Sequence, residues 1–234
     1  MEQIYTIPVN ETFEAGQQDP SLGCPFCRLR EKLCNEEIER VLGAAMMEPD
    51  TRKETNEHGF CARHMEQMLT AGKRLPLALI LESHLSEIGD AMKKPGLMPA
   101  VSGGEAAKKL RTMADDCYIC SRVEFHFTHM LETAALLWET DAAFREKCLS
   151  QPYFCLPHFA RFLKAARERM KGKEYGTFYK QIHEKEFSFL EKLSGDVSWF
   201  VKKFDYRYAD EPWNDAKDAI ERTAAFLNGN EGTV

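Results

Sequence analysis

Apolar residues along this chain recur mostly at intervals of three and four, the spacing that lines one face of a helix. From position 25 onward, Cys27, Cys34, Ile38, Val41 and Ala45 form one such stripe, with Phe26, Leu29 and Leu33 beside it. A helix over residues 25–47 is predicted, Pro25 being suited to its first turn. The Glu48-Pro49-Asp50 break and the polar run to Gly59 predict a loop, after which residues 61–71 and 75–93 read as two more helices. Further on, Val123, Phe127, Met130, Ala134 and Leu137 stripe a helix over residues 118–138, and a shorter one follows Cys155. Phe178, Ile182, Phe189, Leu193, Val197, Phe200 and Phe204 mark a helix of about 30 residues with a kink expected at Ser194-Gly195. Glu211-Pro212-Trp213 stops it and starts a last amphipathic helix through Leu227. The alternation typical of strands is missing, so the fold class is all-α.

A repeat runs through this helical string. A CxxC motif begins at Cys24 and again at Cys117, 93 residues later, and a CxxH motif begins at Cys61 and again at Cys155, 94 residues later. Between CxxC and CxxH lie 33 residues in the first half and 34 in the second, and Phe60 or Phe154 precedes each CxxH. This pattern predicts a helical bundle of two divergent repeats. An N-terminal arm (1–23) precedes the first metal-binding repeat (24–94); a linker (95–116), rich in Pro and Gly over 95–104, leads to the second (117–207), and a C-terminal helix and tail (208–234) follow.

Composition narrows the chemistry. With 234 residues, 44% of them hydrophobic, the chain can bury a real core. Its net charge of -6 provides no global positive field to recruit phosphate backbones, so nucleic acid is not an expected partner. No apolar stretch approaches the roughly 18 residues that span a bilayer, and the N-terminus lacks the basic start and apolar core of a signal peptide. A cytoplasmic protein without membrane attachment is expected, its eight cysteines serving as ligands or free thiols rather than a disulfide framework.

Thiolate and imidazole suit a tetrahedral zinc ion, and CxxC or CxxH at a helix start points two donors at one ion while backbone amides stabilise the negative charge. Two ions per chain are expected, one held by Cys24, Cys27, Cys61 and His64, the other by Cys117, Cys120, Cys155 and His158. Local closure of each set costs less chain entropy than an exchanged pairing, such as Cys24 and Cys27 with Cys155 and His158, which the spacing also permits. Three thiolates and a neutral imidazole on a dication carry a site charge of about -1, and a site closed by four protein ligands leaves no position for hydrolytic water. An iron-sulfur cluster is the alternative occupant.

Other candidate groups read as structure first. Cys34 and Cys148 fall on apolar stripes as buried small side chains. Cys24-Pro25-Phe26-Cys27 has the form of a redox pair but not the βαβ setting that such a pair requires. Three His-x-x-Glu pairs, His84/Glu87, His129/Glu132 and His183/Glu186, could converge as a further metal or acid-base site; solvated helix surface is the plainer reading.

Met47-Glu48-Pro49-Asp50-Thr51-Arg52, Asn56-Glu57-His58-Gly59-Phe60-Cys61, Trp199–Arg207 and Glu211-Pro212-Trp213, together with both CxxC and CxxH sets, resemble a bacterial, mainly clostridial, family of domains of unknown function. The resemblance runs nearly end to end and implies a helical protein, with all eight ligand positions present; it implies no reaction or substrate. It marks Arg52, Asn56, Arg207 and Trp213 as candidates for supporting the centres or for surface recognition. The expected function is a non-catalytic, zinc-stabilised module for a protein or small-molecule partner of unknown identity, in an oligomeric state the sequence does not specify. A redox or metal sensor and an enzyme with an interhelical pocket are the alternatives.

Overall fold

The helical periodicity is realised in the computed structural model, which describes residues 3–93 and 99–229. The helices are α1 (Gln3–Gln18), α2 (Pro25–Val41), α3 (Pro49–His58), α4 (Ala62–Thr70), α5 (Arg74–Lys93), α6 (Pro99–Asp115), α7 (Tyr118–Thr140), α8 (Ala142–Leu149), α9 (Leu156–Arg169), α10 (Gly172–Lys202) and α11 (Ala219–Asn228). Short 3-10 turns occupy Pro20–Leu22, Ala44–Met47, Tyr206–Tyr208 and Asn214–Ala216, and no strand forms among the described residues. The fold is all-α. Among the described residues, no helix is long and apolar enough to cross a membrane.

The chain forms two compact units that cut across the expected segments 24–94 and 117–207. One contains residues 3–31 and 127–229; the other contains the described residues between 32 and 126. The division falls inside α2 and α7, so neither unit is a contiguous CxxC-to-CxxH segment.

The first unit has an aromatic core. Phe13, Phe26, Phe127, Phe144, Phe154, Phe162 and Phe178 are fully buried, with Phe26 and Phe162 centroids 5.0 Å apart and those of Phe13 and Phe144 4.9 Å apart. Fully burying one such side chain contributes about 1.5–3 kcal/mol. Residues 1–23, expected as an arm, supply part of this core. Helix α1 buries Val9 and Phe13, and Gln151 just beyond α8 donates its side-chain amide to the Phe13 carbonyl at 2.7 Å. Pro8 lies inside α1 and disguised the helix in the sequence, because proline removes a hydrogen-bond donor there.

Helix α10 continues without a break through Ser194-Gly195 and ends at Lys202, earlier than the expected stop at Glu211. Lys203 terminates it. Its buried ammonium donates to the carbonyls of Tyr208, Ala209 and Glu211 at 2.7, 2.8 and 2.6 Å and lies over the Trp213 ring, so the chain reverses around a satisfied cation.

The second unit contains two corrections. Residues 49–58, expected as a loop, form α3 with Pro49 in its first turn and Gly59 at its end. Apart from Pro49 the helix has no apolar side chain; it buries Thr51 and Thr55, one turn apart, and packs on α5. Two small threonines allow close helix approach but leave no apolar stripe to read. The expected linker 95–116 is largely helix α6, which packs on α3 and α5 and buries Met113; residues 95–98 lie outside the described residues. Gly103 and Gly104 sit in α6 despite their poor helix propensity, so tertiary packing overrides the local preference.

Candidate metal centres

All eight motif residues begin helices. Cys61 and Cys155 are the N-cap residues of α4 and α9, in extended conformation, and His64 and His158 follow in the first turns. Cys24 and Cys117 immediately precede α2 and α7, and Cys27 and Cys120 lie in those first turns. A helix start leaves unpaired backbone N–H groups and a partial positive charge, both suited to sulfur ligands. At Cys117 this is direct, since the Cys120 amide donates to its Sγ at 3.5 Å.

The donors gather in two groups of four, each within 4.8 Å: Cys24, Cys27, Cys155 and His158 in the first unit, and Cys61, His64, Cys117 and Cys120 in the second. In the first, Cys27 Sγ lies 3.5 Å from Cys155 Sγ, and His158 Nδ1 lies 3.9, 3.3 and 3.1 Å from the sulfurs of Cys24, Cys27 and Cys155. In the second, His64 Nδ1 is 3.3 Å from each of the sulfurs of Cys61, Cys117 and Cys120. Each group could hold a metal ion.

This arrangement overturns the expected pairing. Cys24 and Cys27 do not meet Cys61 and His64, nor do Cys117 and Cys120 meet Cys155 and His158; the outer motifs close around the inner ones. Local closure does cost less chain entropy, but the difference is small. Stretching the link from the 34 positions between Cys27 and Cys61 to the 128 between Cys27 and Cys155 costs about 1.2 kcal/mol, because closure entropy grows only with the logarithm of length. Burying Phe26 and Phe154 with their motifs outweighs that. Their rings lie 5.6 Å apart, and His158 packs edge-on to Phe127 at 5.0 Å.

Electrostatics suit the sulfurs to a cation. Burial and the neighbouring Cys155 and Cys27 thiols push the Cys24 thiol well above its usual range. Contact with Cys24 favours a Cys155 thiolate, but Cys27 and burial prevail and raise it to about 12. Three crowded thiols cannot ionise together without a counter-charge, which a dication would supply while displacing their protons. Arg28, one turn along α2, adds positive charge beside Cys24 and Cys27.

The second centre is polarised differently. Cys120 and His64, with the amides of Cys61 and Cys120, hold the Cys117 thiol down to about 3. Burial opposes a charge on His64, yet Cys117, Cys34 and Cys61 raise it to about 10. Cys34, expected only as a buried apolar side chain, is therefore also a neighbour that favours a charged His64 ring. Nothing in its surrounding sequence signals that role.

Surrounding residues set each centre's walls. Glu186 accepts the Phe154 amide with both carboxylate oxygens at 3.0 and 3.1 Å, anchoring the chain just before Cys155. Burial pushes its carboxyl up to about 7 against the opposing effect of Lys185. This is the third His-x-x-Glu pair; the three are divided between the units, His84 and Glu87 in one and the other two pairs in the other. His84 Nδ1 instead donates to the Asn56 carbonyl at 3.0 Å, and its ring walls Gly59. Gly59 has φ 64° and ψ -155°, a region open to glycine, and its carbonyl accepts the Tyr118 amide at 3.0 Å, tying the approach to Cys61 to the start of α7. Cys148 is fully buried, as expected.

The residues marked by the resemblance have structural contacts. Asn56 accepts from the Ser83 hydroxyl, Arg207 pairs with Asp205, and Trp213 packs on Phe200 and Lys203. The Arg52 amide donates to the Glu48 carbonyl within the first turn of α3.

The end of α11 covers the first centre. Tyr153 stacks on Phe189 at 4.7 Å, and Phe189 meets Phe226 at 5.5 Å, which seats α11 so that Gly229 lies over the sulfurs. Gly229 has φ 73° and ψ 175°, and a Cβ there would sit 3.1 and 3.2 Å from the sulfurs of Cys155 and Cys27. Gly229→Ala is therefore expected to destabilise the protein by about 1–3 kcal/mol from backbone strain alone. A lower Tm and faster loss of one of two ions to a chelator would register it, whereas Gly195→Ala, facing open space in α10, should leave both unchanged or improved.

No curated protein and no solved structure matches the chain. One family model does, over residues 1–233, and on that match the chain belongs to the family of unknown function DUF6062.

Proposed function

We propose that the protein is a zinc-stabilised helical module with no catalytic role of its own, in which two structural zinc ions join helix starts distant in sequence and the surface serves a protein or small-molecule partner. The observation that carries this reading is the size of the two donor groups. A tetrahedron with Zn–S of about 2.3 Å and Zn–N of about 2.0–2.1 Å has edges of about 3.5–3.8 Å. The Cys27–Cys155 and Cys61–Cys120 S–S separations of 3.5 and 3.8 Å lie at those edges, and the S–N separations of 3.1–3.9 Å fall around them, a size that suits one enclosed ion. An iron-sulfur cluster needs its thiolates spread around several metal atoms, so the compact sets favour zinc. Four protein donors close each site to substrate water, which supports a structural role. Six ligand thiolates suit a reducing compartment such as the cytoplasm.

Elemental analysis and an absorption spectrum of anaerobically purified protein test this. Two zinc ions per chain and no visible absorption are expected. Folded protein without metal, or a brown chromophore, would sink the reading.

A further inference from the structure

Building on the zinc reading, we infer that the second centre responds to hydroperoxides, which couple Cys61 and Cys120 as a disulfide and expel the ion, while the first centre keeps its own. Two observations carry this. The first is an asymmetry of access. Cys24, Cys27, Cys155 and His158 are all buried, 6% exposed at most, beneath Phe26, Phe127 and Gly229. In the second centre Cys117 and His64 are buried, but Cys61 and Cys120 are partly exposed. The second is that the sulfurs of these two partly exposed residues are neighbours, 3.8 Å apart, although they come from helix starts 59 residues apart in sequence. Thiolate oxidation follows access, so the partly exposed pair reacts first.

The chemistry balances with a hydroperoxide as the two-electron oxidant. The Cys61 thiolate attacks the peroxide; the O–O bond breaks, leaving a sulfenic acid on Cys61 and an alcohol, or water from hydrogen peroxide, after one proton is taken up. The Cys120 thiolate then attacks the Cys61 sulfur, the S–S bond forms, and hydroxide leaves and is protonated to water. Two thiolates lose two electrons, the peroxide gains them, and two protons are consumed. The sulfurs must close from 3.8 Å to about 2.05 Å, a short movement. Cys117 and His64 alone would not complete a tetrahedral site, so a bound ion would be released. The disulfide then keeps the starts of α4 and α7 joined, so the metal is released without separating the helices. The centre thereby serves as a metal-releasing peroxide sensor that a thiol reductant can reset.

The test uses the full-length, zinc-loaded protein titrated with hydrogen peroxide, following released zinc with a chromogenic chelator and mapping disulfides by peptide mass spectrometry. One of the two ions should leave at least about tenfold faster than the other, the new cross-link should join Cys61 to Cys120, and a dithiol with added zinc should restore the original content. Simultaneous loss of both ions, loss from the Cys24 centre first, a cross-link between Cys117 and Cys120, or irreversible sulfonic acid alone would each overturn the inference. If untreated protein holds no metal, the zinc reading itself fails before any oxidant is added; a two-zinc protein that peroxide leaves intact refutes only the sensor.

Discussion

Removing both ions with a strong chelator at neutral pH is expected to abolish the cooperative thermal transition. Structural zinc supplies apparent binding free energies of about 10–16 kcal/mol in small sites, while whole domains are stable by about 5–15 kcal/mol. Loss of two such ions therefore exceeds the margin, even after a generous discount for partial collapse. The first centre sits among Phe26 and Phe127, so its empty thiols would be left in an apolar setting that keeps them protonated and no longer draws α2 and α9 together. Much helical signal should survive in far-ultraviolet circular dichroism because the aromatic core still collapses, but near-ultraviolet signal and a sharp Tm should vanish. Added zinc should restore both. A chelated protein that melts within a few degrees of the loaded one would show the centres to be incidental to the fold.

Metal stoichiometry of double variants should reveal the nested pairing with an all-or-none readout. Cys27 and Cys155 belong to one group and Cys61 to the other. The Cys27→Ser/Cys155→Ser protein should retain one ion per chain, because both substitutions damage the same centre. Cys27→Ser/Cys61→Ser should retain none. A pairing of each CxxC with the next CxxH predicts the reverse, one ion in the second variant and none in the first. Stability should follow the same logic: the second substitution at an already broken centre adds little, whereas substitutions in separate centres add nearly in full, each costing about 3 kcal/mol or more. If both double variants keep the same number of ions, the four-donor groups are not independent centres.

The donors themselves were legible because their geometry is local. A CxxC or CxxH at a helix start places its ligands at the N-cap and in the first turn, whatever lies elsewhere in the chain. The long helices α5 and α7 were legible for the same reason, matching their expected spans to within a few residues. Helices α1, α3, α6 and α8 were not. Pro8 masked the first, a threonine face without apolar residues masked the second, and a Pro- and Gly-rich start masked the third. In each case burial against neighbours supplied what local propensity lacked.

Sequence alone determined that eight donors of the right chemistry stand at four helix starts. Which starts face each other was decided by tertiary structure. Extending the closure from Cys61 to Cys155 costs only about 1.2 kcal/mol, less than the roughly 1.5–3 kcal/mol from burying a single phenylalanine, and the aromatic core that gathers Phe26, Phe127 and Phe154 brings the first CxxC to the last CxxH. Chain connectivity is a weak, logarithmic constraint, and apolar burial is a strong, additive one, so the packed core chose the partners.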